Sequence, residues 1–391
     1  MGVIVKINGN LSTLQPAYSK PVLRLLVAAI FTSLVPYVNA AEVTKNVVLT
    51  GGVDYESNPA LADNNKSPVW IYTFTPQFLL NVYDDVNRWF VDASLRVQRY
   101  SNEKVLVNRE DPNLAVGWDR TYESGMFGVK AEYQENSSRL ADLQNTGVFS
   151  NIDNTQKTRV LSAKWLHDIN PKWAVLTEGA YTDVSYSVPG TLDSYKLGAI
   201  SSKLSYANSE KYTTFAQLSI SQISPERTYD NTDLTKLVVG SNYLISEGLN
   251  VSSQIGMYNL SGRQSDTGWV AAIKADKTTE TMLYSLGISR DYVASGVGGF
   301  RLDNSLKAGW QFNVSEHDKI GAEYQLDIYE KDISVSSDRL KYQQFIASYN
   351  RIIANHWTGR LTATYKKIDI LDIHPTDTVI GATLIYDTLS F

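Results

Sequence analysis

Four histidines are the side chains best suited to acid–base or metal chemistry in this sequence. His167, His317 and His356 fall at predicted polar turns, whereas His374 falls in a loop at the opposite end of the predicted strands. None of the four is followed two residues later by a serine, so no histidine has a nucleophile at a familiar catalytic spacing. The pattern predicts solvated turn histidines.

One acidic group lies close to a histidine in the sequence. Asp369, Asp372, His374 and Asp377 fall in one loop before the last predicted strand. Such a set could activate water or hold a cation, whereas in the simpler interpretation the carboxylates hydrogen-bond their own loop backbone. The chain has no cysteine, which excludes disulfides, thiolate metal sites and cysteine catalysis. We predict no enzyme, no metal site and no cofactor.

The glycine-rich stretch Ser295–Gly299 is superficially similar to a phosphate-binding loop. Phosphate loops of that kind join a strand to the N-terminus of a helix, whereas this one joins two predicted strands. We therefore predict a tight outer turn with no ligand.

Charged residues inside the predicted strands carry more information. On a lipid-facing surface a mid-membrane Lys or Arg costs about 2–4 kcal/mol, whereas it costs little in a wet lumen. A slight basic excess among these residues suggests an anionic or polyhydroxylated solute, and the alternative is charge pairing that braces the wall. The pore-lining candidates are Asp92, Arg96, Lys130, Glu132, Lys164, Glu178, Lys203, Lys236, Lys274, Asp276, Arg301, Asp303, Lys307, Glu323, Asp327, Arg360 and Lys366.

The elements that carry these residues show a period of two, which is typical of strands with one apolar and one polar face. In Phe300–Phe312 the even positions are mostly apolar and the odd positions mostly polar. Such segments run for roughly 10 to 14 residues, longer than strands of soluble sheets and sufficient to cross a membrane at a tilt. The length favours membrane-spanning strands.

Tight polar turns near Asp85, Ser124, Asn170, Ser209, Glu247, Thr279, Glu316 and Asn355 alternate with longer loops. Eight such hairpins with one further strand at each end predict an all-β fold, a transmembrane antiparallel up-and-down β-barrel of about eighteen strands, with sixteen to twenty compatible with the pattern. Among the outer loops, we predict Ser137–Gln156 as the one long enough to fold inward as a constriction. Of the 391 residues, 24 are Tyr and 8 are Trp, a usage that suits interfacial aromatic girdles. The net charge of −5 argues against a nucleic-acid partner.

Both ends of the sequence predict export. Residues 1–40 combine basic residues, the apolar run Leu25–Val35 and a cleavage site near Ala40/Ala41, which predicts a signal peptide followed by a single barrel domain over 41–391. The last strand ends in Phe391, which we predict to be the signal for the barrel assembly machinery. Apolar alternation back from Phe391 is interrupted at Asp387 and Thr383, which predicts a β-bulge near this end.

Two loop motifs, Gly51–Pro59 and Asn108–Pro112, resemble the β-barrel porin type 2 group, whose members are associated with exopolysaccharide production. The resemblance implies a conduit for polysaccharide export across the outer membrane of a Gram-negative bacterium. Its implied partners are outer-membrane lipid, the barrel assembly machinery, the polysaccharide and periplasmic export components. The alternative is a general or substrate-selective diffusion porin for small anionic or sugar solutes. A third interpretation is a structural or surface-interaction barrel with a closed lumen.

Overall fold

The computed structural model describes residues 42–64, 66–139, 154–188, 192–227, 230–262, 265–296, 298–330, 339–370 and 373–388. These residues form eighteen strands of one antiparallel sheet. The strands are β1 (Glu42–Glu56), β2 (Val69–Tyr83), β3 (Asn87–Tyr100), β4 (Arg109–Tyr122), β5 (Gly125–Ser137), β6 (Thr155–Asn170), β7 (Trp173–Tyr186), β8 (Tyr195–Ser209), β9 (Tyr212–Pro225), β10 (Thr232–Ser246), β11 (Leu249–Gly262), β12 (Asp266–Thr278), β13 (Met282–Ser295), β14 (Gly299–Asn313), β15 (Asp318–Tyr329), β16 (Leu340–Ala354), β17 (Trp357–Ile370) and β18 (Thr376–Asp387).

The sheet closes on itself because β1 pairs with both β2 and β18. Each strand from β2 to β17 pairs with its two neighbours in the chain, so the topology is up-and-down throughout. Closure pairs the strand edges over most of their length, which matters where no water can satisfy backbone groups. The prediction of an all-β barrel of about eighteen strands is confirmed.

The two ends of the barrel differ in their connections. At the end we call the tight-turn end, short turns join the eight hairpins β2–β3, β4–β5, β6–β7, β8–β9, β10–β11, β12–β13, β14–β15 and β16–β17. At the outer end most connections are longer, except those of β11–β12 and β13–β14. In the first turn, the side chain and amide of Asn87 and the amide of Val86 donate hydrogen bonds that hold the pKa of Asp84 below its usual value.

The outer face of the barrel is a continuous apolar belt. Leu161 on β6, Ile200 on β8 and Leu237 on β10 have 61%, 54% and 57% of their surface exposed. Ile273, Ile288 and Leu361 continue the belt around the barrel. A continuous apolar surface of this extent on a closed barrel is what a lipid environment requires.

Aromatic side chains pair near the tight-turn end of the belt. Trp89 and Trp118 have ring centroids 5.6 Å apart, and Trp173 lies 4.7 Å from Tyr206. The pairs Tyr212–Tyr243 and Trp357–Tyr386 continue this ring on other strands. Trp70 and Tyr55, 5.2 Å apart, lie near the outer end. The arrangement corresponds to interfacial girdles.

The expected β-bulge is absent from the described part of the last strand, Thr376–Asp387. Its pairing with β17 and β1 runs without a register shift. Thr383 and Asp387 belong to the inward-facing set, whereas Ile380 and Leu384 face lipid with 58% and 43% exposure. The apparent interruption therefore came from reading the wrong face. Register shifts occur instead beside four tight turns, at Asp168/Asn170, Ala207/Ser209, Leu244/Ser246 and Ile352/Ala354.

Within the described residues, no helix is both long and apolar enough to span a membrane. The predicted signal peptide, its cleavage site and Phe391 lie outside the described residues and remain predictions.

Candidate functional site in the barrel lumen

The strand register separates inward from outward side chains. The outward set is fixed by the exposed apolar belt, and the opposite set faces the lumen. All seventeen predicted pore-lining residues fall on the inward side, and their role in transport stays a prediction. They lie on β3 (Asp92, Arg96), β5 (Lys130, Glu132), β6 (Lys164), β7 (Glu178), β8 (Lys203), β10 (Lys236), β12 (Lys274, Asp276), β14 (Arg301, Asp303, Lys307), β15 (Glu323, Asp327) and β17 (Arg360, Lys366).

The register also adds inward charges that the sequence analysis left out. The additional bases include Arg88, Arg109 and Lys319, and the additional acids include Asp54, Glu56, Asp111, Asp119, Asp266, Asp291, Asp377 and Asp387. Because the added acids outnumber the added bases, the described wall as a whole has no basic excess. The slight basic excess holds for the seventeen predicted residues but not for the described wall as a whole, so any preference for anions must be local.

Such a local site exists on the wall formed by β3–β10. A single cross-strand row from β3 to β7 holds, in order, Arg88, Asp119, Gly128, Lys164 and Glu178. Asp119 lies 3.9 Å from Arg88 Nη1 and 3.2 Å from Lys164 Nζ. On β5, next to this row, Lys130 Nζ lies 2.6 Å from Glu132 Oε1.

This row borders a cavity of about 640 Å³. Four cationic side chains line it, those of Arg88, Lys130, Lys164 and Lys236, against the two carboxylates of Asp119 and Glu178. Hydroxyl and amide groups of Ser162, Ser201, Gln217, Ser219 and Ser221 complete its polar lining. The cavity therefore offers several hydrogen-bond donors, and the bases that line it outnumber the acids that line it. Two of these bases have a carboxylate partner beside the cavity, Glu132 for Lys130 and Asp291 for Lys236.

Two aromatic rings lie on the inward face of the same wall. Phe90 lies over Gly117, where an added Cβ would come within 2.3 Å of the ring, and Phe215 lies over Gly240 in the same way at 2.5 Å. Each glycine accepts the ring of its neighbouring strand. Lys203 Nζ lies 5.6 Å from the centroid of Phe215. Inward phenylalanines were missed because most aromatic residues alternate outward, and an opposed glycine is the signal that could have identified them.

The outer half of the lumen is occupied by the end of the β13–β14 hairpin. Its tip would be exposed if the hairpin projected from the barrel, yet Ser295 is 0% exposed, Phe300 4% and Arg301 4%. Gly296 is also buried, and its carbonyl accepts a hydrogen bond of 2.8 Å from the amide of Asp193, in the β7–β8 loop across the barrel. The tip therefore lies inside the barrel.

The strand pairing shows how the hairpin enters. Between β12 and β13 the described register ends at Ala271 and Arg290, so the outer ends of these two strands separate. Cα atoms of β14 come within 8 Å of those of β9, although four strands lie between them in the sheet. Near the point where β12 and β13 separate, the Tyr258 and Tyr292 hydroxyls both donate hydrogen bonds to Asp266 Oδ2, at 2.7 and 3.0 Å.

Apolar packing and one ion pair hold the hairpin inside. Phe300 belongs to a buried cluster with Ile223, Leu234 and Leu260, which face inward from β9, β10 and β11. Lys236 Nζ on β10 lies 2.8 Å from Asp291 Oδ1 on β13. The ion pair spans strands that are not neighbours, which is possible because β13 has bent toward the lumen.

The loop between β1 and β2 also folds inward at the outer end. Leu61 is 3% exposed and packs with Tyr329, Leu340 and Tyr342, which face the lumen from β15 and β16. Its φ of +47° is a left-handed conformation that non-glycine residues seldom adopt. Arg139, at the end of β5, donates to the carbonyl of Pro59 at 2.8 Å, and so ties this loop to the opposite wall.

A buried ion-pair network fixes the base of the β1–β2 loop. Lys366 Nζ lies 2.9 Å from Glu56 Oε1 and 3.1 Å from Asp377 Oδ2, and the Lys366 side chain is 8% exposed. The second carboxylate oxygen of Asp377 accepts the amide of Asn58 at 2.8 Å. Charge pairing therefore braces this part of the wall, as the alternative interpretation of the lumen charges had it.

These contacts correct two sequence expectations. Ser295, Gly296, Gly298 and Gly299 belong to a turn, and Val297 lies outside the described residues. This turn lies inside the barrel, because the adjacent Phe300 is apolar and packs against Ile223 and Leu260 there. Ser137–Gln156 is not the only loop able to narrow the lumen, since the shorter β1–β2 loop and the β13–β14 hairpin both do so. Most of Ser137–Gln156, residues 140–153, lies outside the described residues.

The acidic group near His374 divides between two environments. His374 Nδ1 lies 2.9 Å from Asp369 Oδ1 in an exposed position, whereas Asp377 is buried against Lys366. Asp372 lies outside the described residues. No group of three or more metal-ligating side chains is found in the described part of the chain. The other histidines, His167, His317 and His356, lie at the tight-turn end.

No protein-family model matches this sequence, and no curated protein is similar to it in sequence. The resemblance to the β-barrel porin type 2 group therefore stays a prediction. Similarity is found at the level of structure.

The structure of OccK1 (OpdK) from Pseudomonas aeruginosa superposes with a TM-score of 0.52 at 10% identity, over 90% of this chain and 99% of that one. A second structure of OpdK, described as an outer membrane protein, gives 0.51 at 9% identity, over 88% and 99%. OpdQ from the same organism gives 0.50 at 8% identity, over 88% and 98%. These similarities show that the chain has the fold of an outer membrane protein.

Proposed function

We propose that the chain forms a channel in the bacterial outer membrane through which small anionic solutes diffuse. The apolar belt and the ring of aromatic pairs support a position in a bilayer, and the fold shared with OpdK supports the outer membrane. The proposal keeps the predicted delivery route, by a signal peptide over 1–40 and recognition of Phe391 by the assembly machinery.

The cavity on the β3–β10 wall is the single observation that carries the proposal. Its volume of about 640 Å³ lies within the range of small-molecule sites, roughly 300–1,000 Å³. Four bases and two acids line it, and Arg88 and Lys164 share the single carboxylate of Asp119, so the lining favours a carboxylate or phosphate group over a cation of the same size.

The mixed charge of the cavity suits passage rather than retention. Asp119 lies between Arg88 and Lys164 at 3.9 and 3.2 Å, so neither base binds an anion at full strength. Weak contacts with several side chains let a solute enter and also leave. No catalytic residue is required, and the proposal contains none.

Export of an exopolysaccharide is the second candidate. It is supported by the resemblance of the motifs Gly51–Pro59 and Asn108–Pro112, which lie at the outer ends of β1 and β4 and not only in loops. A polymer would have to pass the β13–β14 hairpin, whose tip is buried in the outer half of the lumen. That hairpin would need to leave the lumen, whereas a small solute needs only a narrow route beside it.

The test is uptake of solutes by lipid vesicles containing the refolded chain 41–391. A small dicarboxylate, a neutral sugar and an organic cation of similar size would be compared, with an acidic polysaccharide added to one side in a second series. We expect the dicarboxylate to enter fastest, without block by the polysaccharide. Equal uptake of all three would contradict anion selectivity, block by the polysaccharide would favour export, and no uptake would favour a structural barrel.

A further inference from the structure

A groove of about 460 Å³ lies on the outside of the barrel where β16, β17, β18 and β1 run side by side. Its floor is formed by Gly51, Gly359 and Ala382, which belong to the outward set of their strands. A Cβ added at Gly51 would meet no heavy atom within 4 Å. The missing side chain therefore leaves open space and does not serve a close contact within the protein.

The walls of the groove are apolar and belong to the lipid-facing belt. Ile353, Leu361 and Leu384 line it with 60%, 55% and 43% of their surface exposed. A concave apolar surface of this kind, continuous with the belt, matches a hydrocarbon chain better than it matches water.

One outward-facing cation, that of Arg351, lines the groove on β16 between Tyr349 and Ile353. Arg351 is among the residues lining the groove, and its side chain is 61% exposed. The carboxylate of Asp318 lies 3.8 Å from Arg351 Nε, beyond hydrogen-bonding distance, and already accepts hydrogen bonds from Tyr349 and Ser315. Tyr349 also interacts with the Arg351 side chain, and the remaining donors of the five-donor guanidinium are available for a further anion.

The depth of Arg351 in the bilayer indicates which kind of anion it would bind. Gly359, its register partner, lies two residues from Trp357, which contacts Tyr386 at 4.9 Å in the aromatic ring. Aromatic rings of this kind mark the depth of lipid headgroups, and short turns of bacterial barrels face the periplasm. An exposed arginine at headgroup depth is suited to a phosphate, because its donors match two phosphate oxygens.

We propose that this groove binds one phospholipid of the periplasmic leaflet, with the phosphate on Arg351 and an acyl chain across Gly51 and Gly359. The inference rests on the position of the barrel in a bilayer and is independent of what passes through the lumen. The groove belongs to the outer surface, and none of the six cavity charges described above lines it.

Native mass spectrometry of the refolded chain in detergent, with phosphatidylglycerol added, tests the site. We expect one bound lipid for the wild type. Arg351→Gln should lower the bound fraction roughly tenfold, as expected for loss of a charge-assisted hydrogen-bond pair, and Gly51→Leu should remove binding by filling the groove. Diacylglycerol, which has no phosphate, should bind weakly and equally to wild type and Arg351→Gln.

Gly198→Leu is the matched control, because Gly198 is an outward glycine in open space on β8, and its bound fraction should equal that of the wild type. Equal lipid binding by all variants, or a dimer that Gly51→Leu disrupts in place of a bound lipid, would overturn the proposal. Solute uptake measured on the same variants should not change, so failure of the lipid site and failure of the channel proposal give different results.

Discussion

At the residue scale, the proposed preference for anions depends on the few charged side chains that line the cavity on the β3–β10 wall. Lys130 and Lys164 line the cavity and lie one strand apart. The variant Lys130→Gln/Lys164→Gln removes two of the four bases that line the cavity and keeps both acids, so the lining bases no longer outnumber the lining acids. We expect dicarboxylate uptake into vesicles to fall several-fold relative to the neutral sugar.

Lys196→Gln is the control for this variant, because Lys196 lies on β8 and faces outward. Its uptake ratio should match the wild type. An unchanged ratio in the double variant would place selectivity elsewhere in the lumen.

A second residue-scale prediction concerns stability. Lys366→Met leaves Glu56 and Asp377 buried without their cation, and breaking a buried ion pair costs about 3–5 kcal/mol. The variant should unfold at lower urea concentration in lipid vesicles. Unfolding can be followed by the loss of heat-modifiable gel mobility.

The neighbouring Lys367 faces outward and pairs with Asp369 at 2.9 Å near the surface. Lys367→Met should therefore change the unfolding midpoint little. Equal midpoints for the two variants would show that the network at Lys366 does not brace the wall.

At the element scale, the β13–β14 hairpin controls the width of the outer lumen. Asp291→Asn weakens the ion pair with Lys236 that holds β13 inward. We expect larger or more frequent open steps in single-channel recordings, because the hairpin can leave the lumen more easily.

Asp276→Asn provides the comparison, since Asp276 also faces inward but pairs at 2.8 Å with Lys274 of its own strand. This variant should leave the steps unchanged. Reduced steps in Asp291→Asn would contradict a restraining role for the ion pair.

The sequence predicted the strands well because alternation over long segments depends on local chemistry alone. Eighteen strands, the tight turns and the faces of Phe300–Phe312 all followed from the period of two, although the outward residues Phe300 and Leu302 lie buried inside the barrel. The in-folded hairpin could not be predicted, because its position depends on partners such as Ile223 and Asp193, far away in the chain. Alternation also placed the seventeen charged residues on the inward face. It did not identify Asp119, Asp291 and Glu56, because their ion-pair partners lie on other strands.

At the scale of the whole molecule, the belt makes a prediction about lipid. Leu161 faces outward with 61% exposure, and its neighbour Ser162 lines the cavity. Leu161→Arg should cost about 2–4 kcal/mol of folding free energy in phospholipid vesicles, whereas Ser162→Arg should cost little. Similar losses from both substitutions would contradict the assignment of the two faces.

The most direct test of the whole account is single-channel recording of the refolded chain 41–391 in a planar bilayer, with a salt gradient across it. The account predicts discrete conductance steps and a reversal potential shifted toward that of the anion. The absence of conductance steps would contradict the proposal that the lumen is a channel for small anions. Steps whose reversal potential is shifted toward the equilibrium potential of the cation would contradict it as well.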